Sequence, residues 1–471
     1  MDLDGTLVMT DTLHEGFVRA LFTRPMDAFK ALLSIRRGPA EVKTRLADYS
    51  AEGAASFPQR GEFVEWLRGQ AKGGRRLHLV TAAHETVAQA VAARFAIFDS
   101  VIATKGGDNL KGRAKRDRLV ERFPEGFSYA GDARADLPVF EAADSIVLAG
   151  HSAALGRQAR GKGHTVEAEF PNAPRGARAW LKAIRVHQWA KNLLMFIPLL
   201  LSGLFVSIEP AVNVAIGFLL MGVAASGTYI VNDLSDLAAD RAHATKKNRP
   251  FASGALSVRA GMAAATLMVG AGVVGGFILA PAFGALLVGY TLVTLSYSLW
   301  FKRVAILDVA LLAGLYALRL GMGAVLASAV FSEWLMVFAL FFFLSLSLAK
   351  RHVEIVKAAA VSTGPIKGRG YNTGDAVLTL PLGLAAAMTS LLVMVLFLVF
   401  AAMIPGAYAN PKFLWGAPLL VFLWLSRVWL LASRGELEDD PVSFAVKDRV
   451  SLFLGALLGV FTLLAVLDLT P

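Results

Sequence analysis

Cysteine is absent from the 471 residues. That single absence excludes disulfides, thiolate metal ligands and a cysteine nucleophile. Histidine is scarce, and His84, His164 and His243 show none of the spacings of a zinc site. No basic stretch followed by a short apolar run opens the chain, so no cleavable signal peptide is expected. Charged residues are only 18% against 55% hydrophobic, and mean hydropathy is +0.55, which excludes an ordinary soluble protein.

The apolar content is uneven. Residues 1–185 are mixed and charged, whereas 190–471 are apolar runs separated by short charged loops. Runs long enough to span a bilayer fall near 191–207, 211–230, 260–280, 282–300, 305–327, 331–349, 377–403, 413–432 and 450–469, which predicts nine transmembrane helices. Alternate loops are basic. Arg241, Lys246, Lys247, Arg249 and Arg259 share one; Lys302 and Arg303 the next; Lys350, Arg351, Lys357, Lys367 and Arg369 another; Arg434, Lys447 and Arg449 the last. The opposite loops hold one cation, Lys412. Positive loops stay in the cytoplasm, so the head and the charged loops are expected there and the C-terminus outside.

The net charge of +11 therefore sits largely at span ends, which suits anionic lipid and phosphate substrates and predicts no nucleic-acid partner. Between the two halves, 171–190 carries Arg175, Arg178, Lys182 and Arg185 with Trp180 and Trp189, and reads as a basic interfacial linker helix. The expected domains are 1–170, this linker, and a membrane domain over 191–471.

The head opens Met1-Asp2-Leu3-Asp4-Gly5-Thr6. Two carboxylates two residues apart suit a nucleophile beside an acid/base. Leu77–Thr81 reads as a strand ending in a hydroxyl, Asn109-Leu110-Lys111-Gly112 follows, and Phe127–Asp132 reads as a strand ending in Gly-Asp, with Asp136 beyond. Strands alternating with helices imply a parallel α/β sheet, whose ligands bind at the carboxyl ends of the strands.

In this order the four motifs resemble the haloacid dehalogenase superfamily, in its phosphoserine-phosphatase-like branch, over about 1–170. The resemblance implies a Rossmann-like sheet with a helical cap over about 12–75. It implies Asp2 as the phosphoryl-accepting nucleophile, Asp4 as general acid/base, Thr81 on the phosphoryl oxygens and Lys111 neutralising them, with Lys115 the alternative. Asp2, Asp4 and Asp132, with Asp136, would hold Mg²⁺. In that family the nucleophile ends a central strand; here Asp2 follows Met1, so that strand is expected to be missing.

The second span leads into Asn232-Asp233-Leu-Ser-Asp236-Leu-Ala-Ala-Asp240-Arg241, then Lys246-Lys247-Asn-Arg249-Pro250. On a continuous helix Asn232, Asp236 and Asp240 would stack on one face, with Asp233 at its border. Such carboxylates suit Mg²⁺ shared with substrate phosphates, and Arg241, Lys246 and Arg249 supply charge for the phosphate oxygens. The motif resembles the UbiA superfamily of intramembrane prenyltransferases, over about 181–471. That family has nine helices and an aspartate-rich cytoplasmic loop after the second. Tyr297, Lys302 and Arg303, with Asp308, resemble its segment after the fourth helix.

Members with aromatic acceptors carry a second aspartate-rich motif after the sixth helix. This chain has no aspartate between Asp308 and Asp375; Lys350, Arg351, His352 and Glu354 stand there, then Arg369 and Tyr371. That loop, with His187–Asn192 entering the first helix, resembles decaprenyl-phosphate phosphoribosyltransferases. The resemblance implies Mg²⁺ as cofactor, and phosphoribosyl pyrophosphate and a polyprenyl phosphate as substrates. Asn232, Asp233, Asp236 and Asp240 would hold the metal. Arg241, Lys246, Arg249, Lys302, Lys350, Arg351 and Arg369 would bind phosphates, with Glu354 as orienter. Tyr297 and Tyr371 would line the donor site, and Lys191 and Asn192 the lipid phosphate. A bacterial inner-membrane location and a homo-oligomer are further expectations. The alternatives are prenyl transfer to an aromatic acceptor, and a transporter with a regulatory head.

Overall fold

The computed structural model describes residues 1–106, 108–172, 176–330, 332–361, 363–366, 368–403, 408–437 and 441–467. Arg175 and Lys367, counted above among the loop cations, lie outside them. The chain divides into two compact units: Met1–Ile184 with Tyr229–Ala265, and Arg185–Thr228 with Thr266–Pro471. The aspartate-rich segment thus groups with the head.

In the first unit, helices α1 (Thr12–Thr23), α2 (Pro25–Leu33), α3 (Pro39–Gly53) and α4 (Gly61–Lys72) precede strand β1 (His78–His84). Then follow α5 (Glu85–Phe95), β2 (Ser100–Thr104), α6 (Arg113–Arg122), β3 (Ser128–Gly131), α7 (Leu137–Phe140), β4 (Ser145–Ala149), α8 (Ala153–Gly161), β5 (Val166–Phe170) and α9 (Ala177–Ile184). β1 pairs with β2, and β3 with β4 and β4 with β5, all parallel. Residues 1–3 lie between the two sets: Val80 N–H donates to Met1 O (2.8 Å) and Asp2 N–H to Ala130 O (2.9 Å). Residues 1–3 form no strand of their own, but these two bonds place Met1 and Asp2 between β1 and β3, where the central strand is expected.

Alternate strand residues enter opposite cores. Leu79 and Val147 pack with Leu3, Phe57 and Phe63, while Val80, Ile146 and Leu148 pack with Tyr129 and Phe140. A sheet buried on both faces needs near-continuous apolar strands, which these are.

The second unit is helical. A 3-10 stretch Val186–Met195 leads into the short α10 (Phe196–Leu201). The long helices are α11 (Ile208–Ser235), α13 (Val258–Leu279), α14 (Pro281–Leu299), α15 (Leu307–Leu326), α16 (Glu333–Ala359), α17 (Ala376–Phe397), α18 (Gly416–Ser433) and α20 (Arg449–Val466). The short α12 (Leu237–Ala242) and α19 (Pro441–Ala445) lie between them in sequence. Among the described residues eight helices are long and apolar enough to cross a membrane, not nine.

The difference lies in 191–207. Pro198 cannot bond back to the preceding turn, and Gly203 turns left-handed (φ 73°), so this apolar run breaks into short pieces. The core of this unit gathers Val309, Tyr316, Phe343, Leu346, Leu425 and Trp429 from α15, α16 and α18.

Candidate active sites

The head brings Asp2, Asp132 and Asp136 together, with carboxylate oxygens within 4.8 Å of one another. Lys115 from α6 lies 3.0 Å from Asp2 and 3.6 Å from Asp136, and also donates to the Tyr129 hydroxyl (3.0 Å). Lys115, not Lys111, is thus the cation beside Asp2. Lys111 lies exposed before α6, beyond the non-helical Gly112, whereas Lys115 is buried on the first turn of that helix. Asp4 stands slightly apart and accepts from Thr12 N–H (2.8 Å). Asp136 therefore takes the place in the cluster expected of the Asp4 side chain. Thr81 is fully buried in β1, its oxygen accepting from Ala83 N–H.

Burial, then the Asp2 charge, pushes Asp132 up to about 8. Burial, then Asp11, raises Asp4 to about 7, near where an acid that must also act as base should titrate. Burial opposes the charge on Lys115, but Asp2 and Asp136 overcome it and hold the ammonium above its usual range. Burial, then the Asp2 charge, likewise raises Asp136, and the crowded oxygens of Asp2, Asp132 and Asp136 form a donor set that Mg²⁺ fits.

Gly5 is required here. Its φ is +75°, and a Cβ would lie 2.2 Å from Asp132 Oδ2. Sequence reading missed Lys43 of α3, whose Nζ donates to Ala82 O (2.5 Å) and Asn109 Oδ1 (2.7 Å) beside this site. Nothing local marks a lone cap lysine.

The aspartate-rich segment departs from the expected helical face. α11 ends at Ser235, Asp236 leaves helical geometry (φ −98°, ψ 10°), and α12 restarts at Leu237. Asp233 and Asp240, seven residues and two turns apart, still share one face across this interruption and meet at Arg249. Asp233 and Asp240 are buried and share one nitrogen of Arg249, at 3.2 and 2.6 Å. Two buried carboxylates sharing one counter-ion are the hard-oxygen pair that Mg²⁺, held through one or two carboxylates and substrate phosphates, would fit. Arg241 is engaged elsewhere, in two bonds to Glu15 and one to Ala252 O. Lys246 is exposed on the following turn.

In the second unit, buried Asp308 lies 2.6 Å from Arg351 and accepts from the Tyr371 hydroxyl (2.7 Å). Glu354 pairs with Arg351 and with Arg369 (3.3 Å), and Arg369 also reaches the Tyr297 hydroxyl (3.4 Å). Ile306 N–H donates to the Tyr371 oxygen (2.8 Å), fixing that loop to the start of α15. The expected donor-site residues Tyr297, Arg351, Glu354, Arg369 and Tyr371 therefore form one network. Lys302 lies on a 3-10 turn after α14, and Lys350 precedes Arg351 on α16.

Arg319 went unnoticed in the sequence, though an arginine inside an apolar span is itself a functional signal. It is buried and donates to Asn192 Oδ1 (3.1 Å) and the Tyr290 hydroxyl (2.9 Å). The amide nitrogen of Asn192 is buried without a hydrogen-bond partner among the described residues. Lys191 lies 5.8 Å from the centre of the Tyr316 ring. A cavity of about 1370 Å³, lined by apolar groups such as Pro198, Leu320, Phe343, Met394 and Trp424, opens among the helices of this unit.

Comparison with known proteins matches residues 195–465 to the UbiA prenyltransferase family and 1–141 to haloacid dehalogenase-like hydrolases. Protein y4nM of Sinorhizobium fredii is 41% identical over 97% of this chain and 89% of its own length. The nodulation protein NoeC of Azorhizobium caulinodans is 30% identical over 60% of this chain and 93% of its own. The decaprenyl-phosphate phosphoribosyltransferase of Corynebacterium glutamicum is 34% identical over 38% of this chain, which spans about half (55%) of that relative.

Proposed function

The chain belongs to the UbiA prenyltransferase family and carries a haloacid dehalogenase-like head; from that premise we propose that its membrane half transfers a 5-phosphoribosyl group from phosphoribosyl pyrophosphate to a polyprenyl phosphate of the decaprenyl type. The observation carrying this reading is the network at the end of α16. There Arg351 and Arg369 share Glu354, in the region where aromatic-acceptor members would place aspartates. Two phosphorylated substrates call for such cations. The similarity to a decaprenyl-phosphate phosphoribosyltransferase supports the same choice.

In the reaction the bond from ribose C1 to pyrophosphate breaks, and pyrophosphate leaves with the electron pair. A phosphate oxygen of the lipid forms the new bond to C1. That oxygen is already anionic, so no strong base is required. Asn232, Asp233, Asp236 and Asp240 would hold Mg²⁺, which when bound neutralises charge on the pyrophosphate. Arg249 and Lys246 add charge for its oxygens, and Lys302, Lys350, Arg351 and Arg369 bind the remaining phosphate oxygens. Glu354 orients Arg351 and Arg369, Tyr371 holds Asp308 in place, and Tyr297 orients the ribose. Lys191 and Asn192 take the lipid phosphate, and the apolar cavity takes the polyprenyl chain.

The head then removes the 5-phosphate of the lipid product. Asp2 attacks phosphorus, the ribose oxygen leaves with a proton from Asp4, and Asp4 deprotonates the water that hydrolyses the aspartyl phosphate. Asp132 and Asp136 with Asp2 would hold the Mg²⁺ of this site. Positive loops at the span ends support a cytoplasmic head in a bacterial inner membrane.

Purified protein, polyprenyl phosphate, Mg²⁺ and ribose-labelled donor test the reading. Label in the lipid fraction supports it. Label passing only from a prenyl diphosphate to an aromatic acceptor would replace it with the alternative chemistry.

A further inference from the structure

Glu15, on the first turn of α1, is buried and accepts two bonds from Arg241, at 2.6 and 3.1 Å. The two residues are 226 positions apart, one in the cap and one immediately after Asp240. A planar, two-bond contact of this kind fixes orientation as well as distance. Glu15 also accepts from the Thr10 hydroxyl (2.7 Å), and Arg241 Nε donates to Ala252 O (3.1 Å), so both partners are anchored from behind.

Each end of this contact meets a reactive group. On the head side, Asp11 caps α1 through Leu13 and His14 N–H, and Thr12 N–H donates to Asp4. On the other side Asp240 faces Arg249 with Asp233. A second contact runs alongside. Gly254 has φ +77°, and a Cβ there would lie 2.8 Å from Met9 O, so only glycine lets the loop after Arg249 seat on the loop after Asp4.

We propose that Glu15 of the head is a positioning residue for the aspartate-rich motif: by holding Arg241 it fixes α12, and hence the approach of Asp240 to Asp233. Arg241 then serves as a strut instead of a phosphate ligand. The head is a working part of the transferase whatever its own hydrolytic activity. The assignment of a divalent cation to Asp233 and Asp240 comes from the proposed function, but the contact itself does not depend on the donor's identity.

The test reads Mg²⁺ binding without substrate, as the rise in melting temperature of the full-length protein in detergent. It is done in an Asp132→Asn background, so that the head's own carboxylates contribute little. Glu15→Gln should raise the half-saturating Mg²⁺ concentration about tenfold, as expected for losing a charged hydrogen-bonded pair. Glu52→Gln, which removes the exposed partner of Arg19 on the same cap, should leave it unchanged. The exchange Glu15→Arg with Arg241→Glu should return half-saturation to within about threefold of its starting value.

If Glu15→Gln does not fold, the exchanged pair carries the test: a folded double variant with restored binding supports the strut. Unchanged half-saturation in Glu15→Gln overturns the proposal, as does a folded exchange variant without restoration. Normal Mg²⁺ binding without label transfer would strike the donor assignment and leave the strut standing.

Discussion

One guanidinium nitrogen of Arg249 lies 2.6 Å from Asp240 and 3.2 Å from Asp233, joining carboxylates from either side of the break at Asp236. Both aspartates are buried, so the arginine offsets a repulsion that water cannot screen there. Arg249→Gln should therefore lower the melting temperature by several degrees without divalent cations. Breaking a buried pair costs about 3–5 kcal/mol, and Arg249's partial exposure favours the lower end. Mg²⁺ should recover more stability in the variant than in the parent. Equal losses with and without Mg²⁺ would contradict a cation site here.

The head's chemistry separates two lysines. Lys115→Met should reduce hydrolysis of a small phosphomonoester about 10²-fold or more, the scale for losing a preorganised electrostatic contact. Lys111→Met should change it no more than a few fold. The reverse ranking in a steady-state assay would show that the 3.0 Å contact of Lys115 with Asp2 is not the productive one.

Asp308 and Arg351 form an ion pair with both side chains almost wholly buried (0% and 2% exposed). Asp308→Ala leaves the guanidinium undercompensated and should cost about 3–5 kcal/mol, while Asp308→Leu with Arg351→Met should recover much of that stability without restoring transfer. Thermal melts beside the transfer assay check both halves. A double variant that transfers normally would remove Arg351 from the donor site.

Acid sensitivity should trace in part to Glu167. Two bonds from Arg75, with help from Ser145 and Ser128, hold its carboxyl down to about 2, against a burial effect that works the other way. A depressed carboxyl contributes its stability fully above its unfolded value of 4.5 and loses it as pH falls from there through about 2. Glu167→Gln should thus melt with a shallower dependence on pH between roughly 5 and 3. An unchanged slope in full-length protein would show that this pair does not report on folding.

Much of this architecture is legible in the residues. Long apolar runs announce all eight long helices, because a bilayer leaves few alternatives. The motifs at Asp2, Thr81 and Asp132 converge because parallel strands present their carboxyl ends together. Illegible features depend on distant partners or on one bond's worth of backbone. The run at 191–207 is apolar enough to span, and only Pro198 and Gly203 hint at its breaks. The i, i+4, i+8 spacing points to Asn232, Asp236 and Asp240, whereas the pair that Arg249 joins is Asp233 and Asp240, seven residues and two turns apart. Arg241 read as a phosphate ligand because Glu15, its partner, is 226 residues away.

The most direct test uses phosphoribosyl pyrophosphate labelled with carbon in the ribose and phosphorus in the 5-phosphate, incubated with polyprenyl phosphate, Mg²⁺ and the purified protein. The ribose label should enter the lipid fraction while the phosphorus label appears as inorganic phosphate. Asp2→Asn should keep both labels in the lipid, and Asp240→Asn should keep both out. A ribose label that never reaches the lipid would contradict the account.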